Sequence, residues 1–281
     1  VTKCGMLRTA MGGRVGWRPD GRRKTILAHA SKSRDALGRA PDVLLLHAPD
    51  RQTTFSTSVR ALGTAKKEGL TRRIGLSNVR LDQLQEAMAL EDIAMVEVAL
   101  SPFDDTAARN GVVEHCLAHG IPVLAHSPLG GPKRWKRLGQ NEDLRFIAEQ
   151  RGVSPQTIVL AWLYSLHPLI VPIPGARRPE TARWAAEAAG LDLRDDERAL
   201  LDEQYPLGRL VREPRLERAV RTTKREVVLT VGVQGAGKST RAKALATEGF
   251  VRLSRDDRGG SLNQLAEAMA NELEEGTTRI L

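Results

Sequence analysis

"PDVLLLHAP", Pro41–Pro49, sets four consecutive aliphatic residues between two prolines and leads into a histidine. The run is too short for a helix and has no polar face. That texture suits a strand buried on both sides, the kind that parallel sheets use. Downstream the same texture alternates with amphipathic segments. The helix "TTFSTSVRALGTAKKEGL" (Thr53–Leu70), ended by Gly69, is followed by the strand "RRIGLSN" (Arg72–Asn78) and the helix "RLDQLQEAMAL" (Arg80–Leu90). Then come the strand "IAMVEVALSPF" (Ile93–Phe103), the helix "VVEHCLAHG" (Val112–Gly120) and the strand "IPVLAHSPLGG" (Ile121–Gly131). Helices "NEDLRFIAEQRG" (Asn141–Gly152) and "SPQTIVLAWLYSL" (Ser154–Leu166) precede the strand "LIVPIPGA" (Leu169–Ala176) and the helix "RPETARWAAEAAG" (Arg178–Gly190). Ser154 is a helix N-cap with Pro155 at the first helical position. With "VTK" at Val1–Lys3 the count is six strands. Repeated strand-then-helix units predict a parallel sheet with helical crossovers, whose functional residues follow the strand C-termini.

The 281 residues are 41% hydrophobic and 27% charged, an ordinary globular balance, but only 4% aromatic, so aliphatic side chains must fill the core. The net charge of +9 fits nucleotide or nucleic-acid partners as well as a merely basic surface. Cys4 and Cys116 lack metal or redox spacing and fit a reducing cytoplasm. No apolar run reaches the roughly 18–20 residues of a membrane span, and no signal peptide is expected. The strand-like runs at Val1 and at "GTTRIL" lead us to expect a chain cut at both ends.

The segments "VTK", "LLLHAP", "IGLSN", "LAHSPLG" and "PIPGARRPE", in this order and spacing, resemble the aldo-keto reductase family over roughly residues 1–205. The resemblance implies an α/β fold, a (β/α)8 TIM barrel here lacking its first two strands, with NADP or NAD lying across the strand C-termini. It implies that Lys3 is the lysine that lowers the pKa of a tyrosine acid, and that His47 orients and polarises the substrate carbonyl. Ser77 and Asn78 match the pair that binds the nicotinamide carboxamide. Glu97 stands where the family often has Gln, and a carboxylate offers only acceptors. His126 stands where an aromatic residue stacks on the nicotinamide. Ser127 and Leu129 belong to the loop over the pyrophosphate, and Arg177 or Arg178 supplies the guanidinium for a 2′-phosphate. The adenine-binding Glu-Asn pair is replaced by Trp184 and Ala185. The family's catalytic Asp and Tyr lie upstream of its lysine, and neither Tyr164 nor Tyr205 matches the Tyr. Little or no reductase activity is therefore expected of this stretch alone.

From Leu207 to Glu226 the texture becomes Arg-rich, a basic linker (206–226) or an exposed basic helix. A strand "EVVLTVG" then leads into "GVQGAGKS", Gly232–Ser239, which fits a nucleoside-triphosphate phosphate loop. Gly232, Gly235 and Gly237 let backbone N–H groups face phosphate oxygens. Lys238 would reach the β- and γ-phosphates of ATP, Ser239 would ligate Mg2+, and Thr240 would meet the α-phosphate. The following "SRDDRGG" resembles polynucleotide kinases. That resemblance implies Asp256 as the base for an attacking 5′-hydroxyl of RNA or DNA, with Arg255 or Arg258 on the acceptor. The expectation is thus a barrel (1–205) joined to the start of a P-loop NTPase α/β domain (227–281). It pairs reduction of a small-molecule carbonyl substrate with phosphoryl transfer. The alternative is a degenerate barrel that senses nucleotide or acts as a scaffold for the kinase.

Overall fold

The computed structural model describes residues 1–11, 14–176 and 178–212, and, further along, 226–227, 245–246, 251, 253, 268, 272 and 279–280. The chain divides into two compact units, Val1–Pro214 and Arg215–Leu281.

The first unit is α/β. Strand β1 (Thr2–Cys4) is followed by an antiparallel hairpin, β2 (Met6–Met11) and β3 (Arg14–Pro19), and by helix α1 (Arg23–Leu37). The succession continues with β4 (Val43–Leu46), α2 (Phe55–Lys67), β5 (Arg73–Ser77), α3 (Leu81–Leu90) and β6 (Ile93–Ala99). Short helices α4 (Thr106–Arg109) and α5 (Val112–Ala118) lead to β7 (Val123–His126), α6 (Gly131–Arg134) and a 3-10 turn (Trp135–Gln140). Helices α7 (Glu142–Arg151) and α8 (Pro155–Leu166) precede β8 (Ile170–Ile173), and α9 (Pro179–Ala189), α10 (Asp195–Gln204) and α11 (Pro206–Arg212) complete the unit.

Six strands form one sheet in the order β1-β4-β5-β6-β7-β8, every pairing parallel. Because side chains alternate across a strand, the sheet sorts its residues onto two faces. Leu44, Leu46, Ile74, Leu76, Val96, Val98, Val123, Ala125 and Ile170 belong to the large core shared with the helices. Val43, Leu45 and Leu124, with Met95 and Val171 against them, form a small separate cluster on the opposite face. A bulge in β6 opposite β5 lets Ile93 and Val96, three residues apart, face the same core. Gly75 sits at this bulge on the small-cluster side. A Cβ there would lie 2.4 Å from the Met95 carbonyl oxygen and 2.6 Å from a Leu45 methyl, so only glycine fits.

The Ser154 cap is present, with the Ser154 hydroxyl accepting from the Thr157 N–H at 3.0 Å. The hairpin, α1 and α10 add to the elements foreseen from sequence. Helix α10 is held from a distance: the Arg151 guanidinium grips the buried Glu197 carboxylate through two bonds of 2.8 and 2.6 Å. Helix α11 occupies the start of the Arg-rich stretch and buries Leu207, while Arg212 donates to Asp202 at 2.7 Å. The same carboxylate accepts from the Trp162 indole at 2.7 Å.

In the second unit, β9 (Glu226–Val227) pairs in parallel with β10 (Arg279–Ile280). Gly232, Gly235, Gly237, Lys238, Ser239, Thr240, Arg255, Asp256 and Arg258 lie outside the described residues, as does Arg177 of the first unit.

Candidate functional site

Alternation fixes the site. On the small-cluster face, Leu45 leads two residues on to His47, Met95 to Glu97, Leu124 to His126, and Gly75 to Ser77. Lys3 stands beside Leu45 in the register, and Ser77 beside Glu97. One aliphatic layer is therefore topped by one polar layer at the strand C-termini.

Lys3 and Glu97, 94 residues apart in sequence, form an ion pair there through Nζ and Oε1. Glu97 is only 2% exposed, whereas the Lys3 side chain is 33% exposed. Burial of the carboxylate is tolerable because the ammonium partner is in contact.

Asn78 and His126 form a second, neutral network. The Asn78 side-chain amide donates to the His47 carbonyl at 3.1 Å and to the Ser77 hydroxyl at 3.0 Å. Its Oδ1 lies 3.0 Å from His126 Nε2, and His126 Nδ1 lies 3.2 Å from the Ser127 hydroxyl. An amide oxygen only accepts, so with this amide orientation Nε2 carries the proton and Nδ1 accepts from Ser127. Burial holds His126 below the ordinary histidine value, opposed by Glu97 and reinforced by Lys3. Burial also lowers His47, with Lys3 adding to the effect. Both rings are neutral at pH 7. Asn78 (φ 56°) and Ser127 (φ 53°) are the two non-glycine residues with left-handed backbone among the described residues, and His126 hydrogen-bonds to both. Backbone cost concentrated at one spot is a mark of functional sites.

Beside this network opens a cleft of about 520 Å³ lined by Ser127, Leu129, Trp135, Ile173, Arg178 and Trp184, among others. The Arg178 guanidinium lies 4.8 Å from the centre of the Trp135 ring. The Trp135 and Trp184 rings are 5.9 Å apart and tilted by 44°.

The structure thus brings Lys3, His47, Ser77, Asn78, Glu97, His126 and Ser127 together at the strand ends, and sets Leu129 and Arg178 on the adjoining cleft. Two features escaped sequence reasoning. One is the Lys3–Glu97 pair, which only the sheet register reveals. The other is Trp135, whose only signal is its position after the Gly/Pro loop. The two tyrosines lie elsewhere: Tyr164 is on α8, and Tyr205, after α10, packs on Trp162 at 5.5 Å. Cys4 and Cys116 are free and buried, and burial pushes both thiols up to about 12, which keeps them protonated and inert. Among the described residues no helix is long and apolar enough to cross a membrane, and no group of three or more His, Cys, Asp or Glu side chains could hold a metal ion.

The chain is similar to known proteins. An uncharacterized oxidoreductase of Schizosaccharomyces pombe is 29% identical over 206 residues, 73% of this chain and 64% of that protein. Methylglyoxal reductase DkgB of Escherichia coli is 30% identical over 159 residues, 55% of this chain and 57% of that protein. The chain therefore spans less than two thirds of the length of these curated relatives. The crystal structure of an aldo/keto reductase from Klebsiella pneumoniae in complex with NADP and acetate matches with a TM-score of 0.59 at 26% identity, covering 66% of each chain. Residues 1–206 match the profile of the Aldo/keto reductase family, and the chain belongs to that family.

Proposed function

We propose that the first unit binds a nicotinamide dinucleotide, NADP in preference to NAD, across the strand C-termini and presents it to a small carbonyl compound. The observation that carries this reading is the meeting of Lys3, His47, Glu97 and His126 in one polar layer beside an aromatic, cationic cleft. The cleft chemistry fits the group: planar rings and aliphatic side chains suit a base, and an exposed guanidinium suits a phosphate. The relative named methylglyoxal reductase and the neighbour holding NADP support a small carbonyl substrate and this cofactor. When bound, the cofactor supplies a hydride.

His47, neutral at pH 7, offers one N–H to the carbonyl oxygen and orients it. Lys3 sets a positive charge next to the oxygen that gains negative charge, and Glu97 holds that ammonium in place. The Asn78 amide is engaged by His47, Ser77 and His126, so a carboxamide reaches it only by displacing the His126 bond. Neither tyrosine serves this layer. Tyr205 is buried away from it, its phenol pushed up to about 12. Turnover by residues 1–281 alone is expected to be slow. Titrating the chain with NADPH and following its oxidation with small aldehydes tests the reading. Absence of NADPH binding would sink it.

The alternative of a nucleotide-sensing or scaffold unit draws support from the same engaged Asn78 and from a Lys3 already neutralised by Glu97. It predicts NADPH binding with no oxidation at any aldehyde concentration.

For the second unit we infer ATP-Mg2+ binding and phosphoryl transfer to a hydroxyl, with an RNA or DNA 5′ end as acceptor. The phosphate-loop sequence supports this. So does the parallel pairing of β9, which precedes that loop in sequence, with a strand some fifty residues later, since parallel neighbours need a crossover of that kind. Lys238→Ala should abolish ATP binding and leave NADPH binding intact. Unchanged ATP affinity would refute the phosphate-loop reading.

A further inference from the structure

We propose that His29 is a positioning residue for the polar layer: its unprotonated Nδ1 accepts the Gly5 N–H, which fixes the end of β1 and so sets the Lys3 ammonium against Glu97. The tie itself is independent of the function proposed above; what it means for cofactor and carbonyl rests on that reading.

Lys3 sits on a strand of three residues, Thr2–Cys4. A strand so short needs its end tied down. Gly5, with φ 79°, turns the chain out of the parallel ladder and into the hairpin. A Cβ there would lie 2.9 Å from a Leu46 methyl, so the turn is also tightly packed. The Gly5 N–H has left the ladder and needs an acceptor from elsewhere. His29 of α1, 24 residues on, supplies it at 3.2 Å. Three further bonds hold the same two residues. The His47 N–H donates to the Cys4 carbonyl at 3.0 Å, the Asp20 N–H to the Gly5 carbonyl at 2.9 Å, and the Cys4 thiol to the Leu45 carbonyl at 3.4 Å. Backbone groups do not titrate, and burial pushes the Cys4 thiol up to about 12. Of the four bonds, the one to His29 is therefore the one that responds to pH near neutrality.

The bond fixes the tautomer: Nδ1 accepts, so Nε2 carries the proton. Burial first, and then Lys32 on the same helix, hold His29 below the ordinary histidine value, against the pull of Asp20 from the turn before α1. Helix α2 and strand β1 also pack on α1, and among the described residues neither sends a charge that shifts His29. At neutral pH the ring is uncharged and the bond stands. In acid both ring nitrogens become donors. The Gly5 N–H then faces another N–H, and the end of β1 loses its link to α1. Lys3 lies two residues back along that strand, so the loosening reaches its contact with Glu97.

The test is reductive methylation of lysines in the full chain, with formaldehyde and a borane reductant. Mass spectrometry reads the extent at Lys3 relative to the exposed Lys67. That ratio cancels the common effect of pH on amine reactivity. His29→Asn keeps an acceptor near the Nδ1 position and does not titrate, whereas His29→Leu has no acceptor. Between about pH 8 and about pH 5, either side of the ordinary histidine value, the wild-type ratio should rise about fivefold, the worth of one ordinary hydrogen bond. His29→Asn should keep the low ratio throughout, and His29→Leu should show the high ratio already at the upper pH. Glu97 and His126 are present in all three proteins, so only His29 separates their profiles. Urea-unfolding midpoints show whether the leucine variant is folded; if it is not, the wild-type and asparagine profiles decide. No rise in the wild type, or an equal rise in His29→Asn, overturns the positioning role. NADPH affinities of the three proteins should follow the same order. A wild type whose Lys3 ratio follows His29 but which binds no NADPH overturns the cofactor reading and leaves the positioning of Lys3 standing.

Discussion

On the helix side of the sheet, Leu44, Leu46, Ile74, Leu76, Val96 and Val98 join a core that runs unbroken from strand to helix. On the other side, one thin layer of Val43, Leu45 and Leu124 gives way within two residues to Lys3, His47, Glu97 and His126. Both faces come from the same strands, and adjacent residues serve opposite purposes: Leu46 packs while His47 faces the site. Aliphatic packing is concentrated on one face and the polar layer on the other, so stability and the proposed cofactor binding should be separable by substitution.

The largest effect is expected on the packing face. Leu76→Ala should cost about 2–5 kcal/mol of unfolding free energy, measured by urea denaturation, because a fully buried side chain leaves a cavity among rigid neighbours. NADPH affinity per folded molecule should stay unchanged. A change in affinity would mean that the faces are coupled.

A smaller loss of stability, about 1–3 kcal/mol, is expected for Gly75→Ala, where the added methyl collides with the Met95 carbonyl. Here affinity should fall as well, because relief requires β5 and β6 to shift, and Ser77 and Glu97 are register partners on those strands. An alanine variant with normal binding would show that the polar layer tolerates such a shift.

The smallest effect is a pH slope. His47 and His126 lie below the ordinary histidine value when folded, so as pH falls the unfolded chain takes up protons first. Stability should be complete above about pH 7 and decline as pH drops through the ordinary value of about 6.5 toward the folded values. His126→Gln should flatten part of that slope in unfolding midpoints measured across the window. An unaltered slope would assign it to the other histidines, of which His29 and His115 are also lowered, chiefly by burial.

The strands were legible in the sequence because burial on both faces leaves continuous aliphatic runs such as Val43–Leu46. The residues that follow them were legible for the same reason, since a polar side chain after such a run marks the strand end. Helix α10 was not. Its "DDERALLDEQ" carries little apolar signal, and what fixes it is Glu197 bonded to Arg151, 46 residues away. The hairpin had a local signal, Gly12–Gly13 between two strand-like runs, of the kind that two-residue hairpin connections use. Within the site, the pairing of Lys3 with Glu97 depended on register and on side-chain length. The capture of Asn78 by His126 depended on two left-handed backbone positions that residue type alone does not dictate.

The strand order has a kinetic consequence. In β1-β4-β5-β6-β7-β8 each strand of the sheet sits beside the sheet strand that comes before it in the chain. Among the described strands no pairing in this sheet must wait for a segment from far downstream, and each newly formed strand–helix unit can add to an edge already in place. Parallel sheets carry a slow-folding burden because their partners must close long loops. Here that burden is divided into five successive closures, so the unit can assemble in the order in which it is synthesised.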